Sequence, residues 1–358
     1  MTGVMTGPMT GPMTGGSTVR VLGAGIIGLT VAWELVRRGH DVEVVDPAPG
    51  SGASYAAAGM LSPGGELWHG ETALFPIARA SADLWPALAR DLGVGLREGM
   101  LLAATDAGDV QLVDRQLDLL ALHDPTARAL SRREVVALEP RLGRVAGGAL
   151  LPRDHSIDPR DVVVALRARL GDRVRPEPAS AAERVVIATG AALPAPYTSL
   201  VRGVRGEVLR LRVAPADLPV RTVRAWVHGE QVYVVPRAGG EVVVGATQQE
   251  HDGPPVVTAE GVWRLLDLAR RLLPGIDRAE LVEATARDRP GTVDNLPLVG
   301  PTGEPGVVLA AGHYRHGVLL APWTARLVAD HLEHGRAEAV VDPRRLAVPA
   351  THLTEGAS

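Results

Sequence analysis

Read by its hydrophobic pattern, the chain falls into three textures. The first opens at residues 19–22, a short apolar run with the length of a strand buried on both faces. Residues 26–38 then place apolar side chains at helical spacing as far as Gly39, which closes the helix, and residues 41–45 supply a second strand ending at Asp46. The order predicts a βαβ unit. After a loop of small residues at 47–59 comes a mostly helical stretch. Residues 72–92 and 109–122 read as helices, Ser131-Arg-Arg-Glu134 is a capping box opening a short helix toward Glu139, and 159–170 is a further helix. Residues 184–190 form a buried strand that ends in glycine. From Gly203 the period changes to two. Residues 207–213, 226–228, 231–236 and 241–247 read as strands, the last two joined by a turn at Ala238-Gly-Gly240, which predicts an antiparallel sheet. Helix returns at 258–273, strand at 281–287 and 307–311, and helix again at 317–331.

Because these textures interleave, they predict an α/β chain of two domains. A Rossmann-like cofactor-binding domain is expected from residues 19–65, 148–202 and 290–345, interleaved with an antiparallel-sheet substrate domain from 66–147 and 203–289. Residues 1–18, which repeat Met-Thr-Gly-Pro, and 346–358 are expected to be disordered or flexible tails.

Composition narrows the chemistry. A length of 358 residues is more than one core usually serves, and 46% hydrophobic content is ample for burial. The net charge of −4 gives no electrostatic reason to expect nucleic acid or an anionic membrane surface as a partner. No stretch is apolar enough to span a bilayer, no charged-then-apolar leader is legible, and cysteine is absent, so a soluble cytoplasmic protein is expected. All 37 basic residues are arginine. Lysine-based phosphate loops, lysine Schiff bases and thiol nucleophiles are thereby excluded.

The sequence Gly23-Ala-Gly25-Ile26-Ile27-Gly28 between the first strand and helix carries its own physics. Gly23 permits a sharp turn, Gly25 admits a pyrophosphate against the backbone, and Gly28 lets helix and strand pack closely. The helix N-terminus faces the anion with roughly half a positive charge. Asp46 is placed to accept ribose hydroxyls, which argues against a 2′-phosphate and leaves NAD and FAD both open.

Three further groups of residues bear on that choice. They are Ser54-Tyr-Ala-Ala-Ala-Gly-Met60, the pair Tyr233-Val-Val-Pro-Arg237 and Val244-Gly-Ala-Thr247, and the stretch from Arg287-Asp-Arg-Pro-Gly-Thr-Val-Asp294 to Gly312-His-Tyr-Arg-His-Gly317. With the βαβ unit they closely resemble the glycine oxidase branch of the D-amino-acid oxidase family, over about residues 19–341. The resemblance implies non-covalent FAD. It assigns Gly23, Gly25, Ile26, Ile27, Gly28, Asp46, Pro47, Ala53, Ser54, Ala58, Gly59, Met60 and Gly190 to the cofactor, together with Gly312, His313, Tyr314, Arg315, His316, Gly317, Val318 and Leu319 around the flavin. It also implies that Arg289 and Tyr233 hold a substrate carboxylate, that Arg315 lies at a second position near the substrate and that Gln248 borders the amine side. Hydride would pass from the substrate Cα to the flavin, with dioxygen as the final acceptor, and no side chain is assigned as a general base. A homotetramer and a role in supplying the glycine-derived imine of the thiamine thiazole ring are further implications.

Three departures from the family pattern stand out. Residues 170–184 are shorter than usual, which predicts a more exposed or more weakly held FAD; Gln248 stands where methionine is common; and Asp46 replaces the commoner glutamate. Sarcosine oxidase is disfavoured, because its flavin tether and oxygen-activating lysine have no counterpart in a chain without cysteine or lysine. The other readings are a D-amino-acid dehydrogenase passing electrons to a quinone, and a flavin-binding protein impaired in catalysis.

Overall fold

The computed structural model describes residues 17–68, 70–179, 181–250 and 253–346. The expected tails at 1–18 and 346–358 therefore lie almost entirely outside the described residues; Thr18, placed in the first tail by sequence, opens the first strand.

In chain order the elements are β1 (Thr18–Leu22), α1 (Ile26–Arg37), β2 (Asp41–Val45), α2 (Ala53–Ala56), β3 (Met60–Leu61), α3 (Phe75–Leu92), β4 (Leu96–Ala104), α4 (Ala107–Ala121), β5 (Arg128–Ser131), α5 (Arg132–Leu138) and β6 (Gly147–Ile157). They continue with α6 (Pro159–Leu170), β7 (Val174–Arg175), β8 (Arg184–Ile187), β9 (Arg202–Arg212), β10 (Thr222–Val227), β11 (Glu230–Pro236), β12 (Glu241–Gly245), α7 (Ala259–Leu272), β13 (Glu280–Gly291), β14 (Leu298–Pro301), β15 (Val307–Ala311) and α8 (Gly317–His334).

Two sheets result. The first has six strands in the order β14-β15-β8-β1-β2-β7, parallel throughout except where β14 runs against β15. Its period-two alternation is visible in the packing. Val186, Val308 and Ala310 join the core under α1, α3, α6 and α8, while Ile187, Leu309 and Ala311 point to the opposite face and pack with Leu193, Tyr197 and Leu200.

The second sheet has nine strands, eight in the order β13-β9-β12-β11-β10-β4-β6-β3 with β5 beside β6. It is mixed, not purely antiparallel as the sequence predicted, because β10 runs parallel to β4 at its centre. The same alternation splits β4. Leu101 and Ala103 face the core beneath α7, where Leu265, Leu268 and Leu272 are buried, while Met100, Leu102 and Ala104 face α4. Each buried leucine stabilises this contact by roughly 1.5–3 kcal/mol.

Two long strands, β4 and β6, occupy a region whose sequence reads as mostly helical. Both β4 faces are covered, so Met-Leu-Leu-Ala-Ala at 100–104 shows no apolar-polar alternation to reveal a strand. β6 also hydrogen-bonds within the nine-stranded sheet, although the sequence boundaries assign 148–202 to the cofactor domain.

α3 and α8 lock together through side-chain to backbone bonds. Pro322 inside α8 has no N–H to donate. Beside it, Leu319 O accepts from Ser81 Oγ at 2.7 Å and Trp85 Nε1 at 3.0 Å, and Trp323 N donates to Ser81 Oγ at 3.3 Å.

Candidate active site

A cavity of about 560 Å³ is lined by residues of both sheets, a size in the range of small-molecule and cofactor sites. One end is built on the turn from β1 into α1. Gly23 has φ +100°, a conformation that L side chains rarely adopt, and this turn brings the chain into α1 with Gly25 as its N-cap. Gly25 offers no capping side chain, so the first N–H groups of α1 face the cavity; Ile26 N donates to Ser54 Oγ at 3.0 Å. Asp46 is held from two sides, with Oδ2 accepting from Ala24 N at 2.7 Å and Oδ1 from Ala48 N at 2.8 Å. Each oxygen keeps a lone pair for a hydroxyl.

The opposite wall is the turn before α8. His313 and His316 are buried there, and His313 Nε2 lies 2.9 Å from Thr324 Oγ1. Burial pushes the His313 imidazole down to about 3, with His316 adding to the effect, and burial likewise pushes His316 down to about 4 against the opposing pull of Glu66. Both are neutral near pH 7. Nδ1 of His316 and Oγ1 of Thr189 are buried without a hydrogen-bond partner among the described residues, and both residues line the cavity. At the loop ahead of β3, buried Arg237 donates to Ala58 O and pairs with Asp158 at 3.2 Å. Its burial lowers the guanidinium pKa to about 10.

The remaining end is charged. Arg289 on β13 lies over Gly206 of β9, where any Cβ would collide with its guanidinium. Its Nη1 donates to Thr247 O at 3.2 Å, and no carboxylate among the described residues pairs with it. Tyr233 on β11 stands over Gly245, its directly opposite partner on β12. Burial raises the Tyr233 hydroxyl pKa, Glu66 adds to the rise, and the nearby Arg289 opposes it.

Arg315 also lines this end, but its charge is already engaged. Nε lies 2.9 Å from Glu66 and Nη2 lies 2.6 Å from Glu71. Glu66 pairs on its other side with Arg224, which Gln231 also contacts at 2.9 Å. Burial alone would raise the Glu66 pKa, yet Arg224 and Arg315 together bring it below the ordinary value. The carboxylate is therefore ionised and balances two cations.

Every residue that the sequence assigned to cofactor or substrate lines this cavity except Gly28 and Gly312. Gly28 faces the backbone of Gly23, and Gly312 packs on Thr292, so each works through close packing. Glu66, Arg224, Gln231 and Gly206 also line the cavity and were not read from the sequence. The one local signal for Glu66 is the Pro63-Gly64-Gly65 turn before it.

A helix N-terminus with no N-cap side chain, a fixed carboxylate beside it, and buried polar atoms without a partner among the described residues, Thr189 Oγ1 near Gly23 and His316 Nδ1 at the far wall, are what an extended dinucleotide requires. The chain belongs to the family of FAD-dependent oxidoreductases, whose model matches residues 18–331. FAD is accordingly its cofactor. Among its relatives, a glycine oxidase of Geobacillus kaustophilus is 33% identical over 353 residues, covering 88% of this chain and 92% of the relative. The putative thiamine biosynthesis oxidoreductase ThiO of Rhizobium etli is 36% identical over 334 residues, covering 89% and 98%. The crystal structure of glycine oxidase from Geobacillus kaustophilus superposes with a TM-score of 0.81 at 32% identity, over 90% of this chain and 96% of that one.

Proposed function

We propose that this protein oxidises glycine, and also accepts sarcosine and small D-amino acids, yielding the imine, which hydrolyses to the oxo acid and ammonia, or methylamine from sarcosine, with hydrogen peroxide as the other product. For glycine the balance is glycine, water and dioxygen giving glyoxylate, ammonia and hydrogen peroxide. The observation that carries this reading is Arg289, a guanidinium in the cavity with no carboxylate paired to it among the described residues, beside the half-buried Tyr233.

When bound, FAD supplies a two-electron acceptor that dioxygen reoxidises. The chain supplies placement. Arg289 offers two parallel N–H donors to the substrate carboxylate, Tyr233 adds its hydroxyl, and Gln248 borders the pocket. Glu66 neutralises Arg224 and Arg315, which leaves Arg289 to select for one carboxylate. Buried neutral His313 and His316 carry no proton to the amine at neutral pH. The start of α8 at Gly317 directs its N-terminal dipole at the wall whose residues would surround the flavin, where it would favour negative charge.

In the same reading, the six-stranded and nine-stranded sheets are the cores of the cofactor and substrate domains, and the product imine feeds thiamine thiazole synthesis, as the name of the Rhizobium relative supports. Among the described residues no helix is long and apolar enough to cross a membrane. A cytoplasmic homotetramer completes the reading, and light scattering on the purified holoenzyme tests the assembly.

The deciding experiment is an anaerobic titration of the holoenzyme with glycine, with sarcosine, D-alanine and D-proline in parallel. Glycine is expected to bleach the flavin band, and air to restore it with one peroxide per turnover. A flavin that no amino acid reduces overturns the reading, and fast dye reduction with little peroxide replaces it by a quinone-linked dehydrogenase.

A further inference from the structure

Outside the cavity, one buried carboxylate is committed to the backbone just ahead of Glu66. We propose that Asp154 is a positioning residue for substrate selection: by clamping residues 62–65 it holds Glu66 between Arg224 and Arg315. The proposal rests on the glycine oxidase reading.

Asp154 is 1% exposed and lies on β6, where the pairing with β4 slips register between Glu98 and Met100. Its Oδ2 accepts from Ser62 Oγ at 2.5 Å and from Gly65 N at 2.8 Å. Oδ1 accepts from Gly64 N at 3.2 Å and from Arg79 at 3.2 Å. A carboxylate serving only as the partner of Arg79 would need one of these bonds, and Arg79 already has Asp124 and the Arg153 carbonyl. Three of the four go to the loop. From the other side, Gln116 Nε2 donates to Gly64 O at 3.0 Å.

The loop has little room to shift within this clamp. A Cβ at position 65 would collide with Ser62 Oγ, and one at position 64 would sit 3.2 Å from Asp154 Oδ2. The chain then turns directly into the site, with Glu66 N bonded to Ser62 O at 3.1 Å and Leu67 N to Gly64 O at 3.3 Å. Displacing this turn withdraws the Glu66 carboxylate from two arginines: Arg224 loses its carboxylate partner at the substrate end, while Arg315 loses the bond at Nε and keeps Glu71 at Nη2. Such a pocket gains a place for a second carboxylate.

The test compares kcat/KM for glycine with that for iminodiacetate, which carries a second carboxymethyl group on the same nitrogen. Asp154→Asn is expected to shift this ratio toward iminodiacetate on the order of tenfold, the scale of one or two charge-assisted hydrogen bonds, with FAD retained. In a Glu66→Gln background, the same substitution is expected to shift it less than about twofold, because the two act through one group. A residue with a merely structural role would lower both activities together and leave the ratio in place. That outcome overturns the proposal, as does an equal shift in both backgrounds. Ser62→Ala, which removes one donor and keeps the carboxylate, carries the test if the Asp154 variant does not accumulate; an unmoved ratio there overturns it equally. A wild-type holoenzyme that glycine does not reduce overturns the functional reading itself and this proposal with it.

Discussion

At the scale of single residues, the site is a balance of charge. Arg289→Ala removes the proposed carboxylate anchor, and kcat/KM for glycine is expected to fall by a hundredfold or more, on the order of 3 kcal/mol, with the flavin spectrum preserved. Steady-state kinetics on the flavin-loaded variant check it. Glu66→Gln removes the carboxylate partner of Arg224 and leaves Arg315 with Glu71 alone, so activity on iminodiacetate should rise relative to glycine, which the same assay reads. The buried histidines give a pH signature. His313 and His316 sit at about 3 and about 4 in the folded protein against an ordinary 6.5, so below pH 6.5 the unfolded chain binds more protons than the folded one. Stability is full above pH 6.5 and declines as pH falls toward 4, by at most about 1.4 kcal/mol per pH unit for each histidine. His313→Gln is expected to flatten that decline, read from urea midpoints of the apoprotein at pH 7.5 and pH 5. The residues legible in the sequence were those in short motifs, such as Gly23 to Gly28 or Tyr233 to Arg237, where spacing along one strand or turn carries the chemistry. Glu66 and Arg224 escaped because they are 158 positions apart and meet only across the fold.

At the scale of elements, α3 and α8 show how an interior proline becomes a docking point. Pro322 donates no bond into its helix, and Ser81 both donates to Leu319 O and accepts from Trp323 N. Ser81→Ala should cost about 1–3 kcal/mol by taking the partner from Trp323 N and leaving Leu319 O with Trp85 alone, and it should also weaken FAD binding because α8 starts at the cavity wall. Thermal unfolding with and without FAD separates the two effects. Helices were the most legible elements, since α1, α6 and α7 show a clear 3.6-residue period and α5 opens with the capping box of Ser131 and Glu134. β4 was hidden by burial on both faces. The parallel pairing of β4 with β10 was hidden for a different reason, as register between strands some 120 residues apart leaves no local trace.

At the scale of the whole molecule, the interleaving of the two sheets was visible as a change of texture along the sequence, while the strand order was not. β1 is flanked by β2, its near neighbour in sequence, and by β8, more than 160 residues further on; β15 then pairs with β8. Chains cut after residue 300 lack β15 and α8, and they are expected to retain no flavin after gel filtration even where the nine-stranded sheet persists. That sheet order also sets a timetable. On the ribosome, the segments that complete the cavity wall, β15 and the first turn of α8, emerge after every other segment that lines it. Cofactor capture is therefore a late event in the life of each chain, and flavin shortage in the cell should accumulate finished apoprotein and not stalled nascent chains.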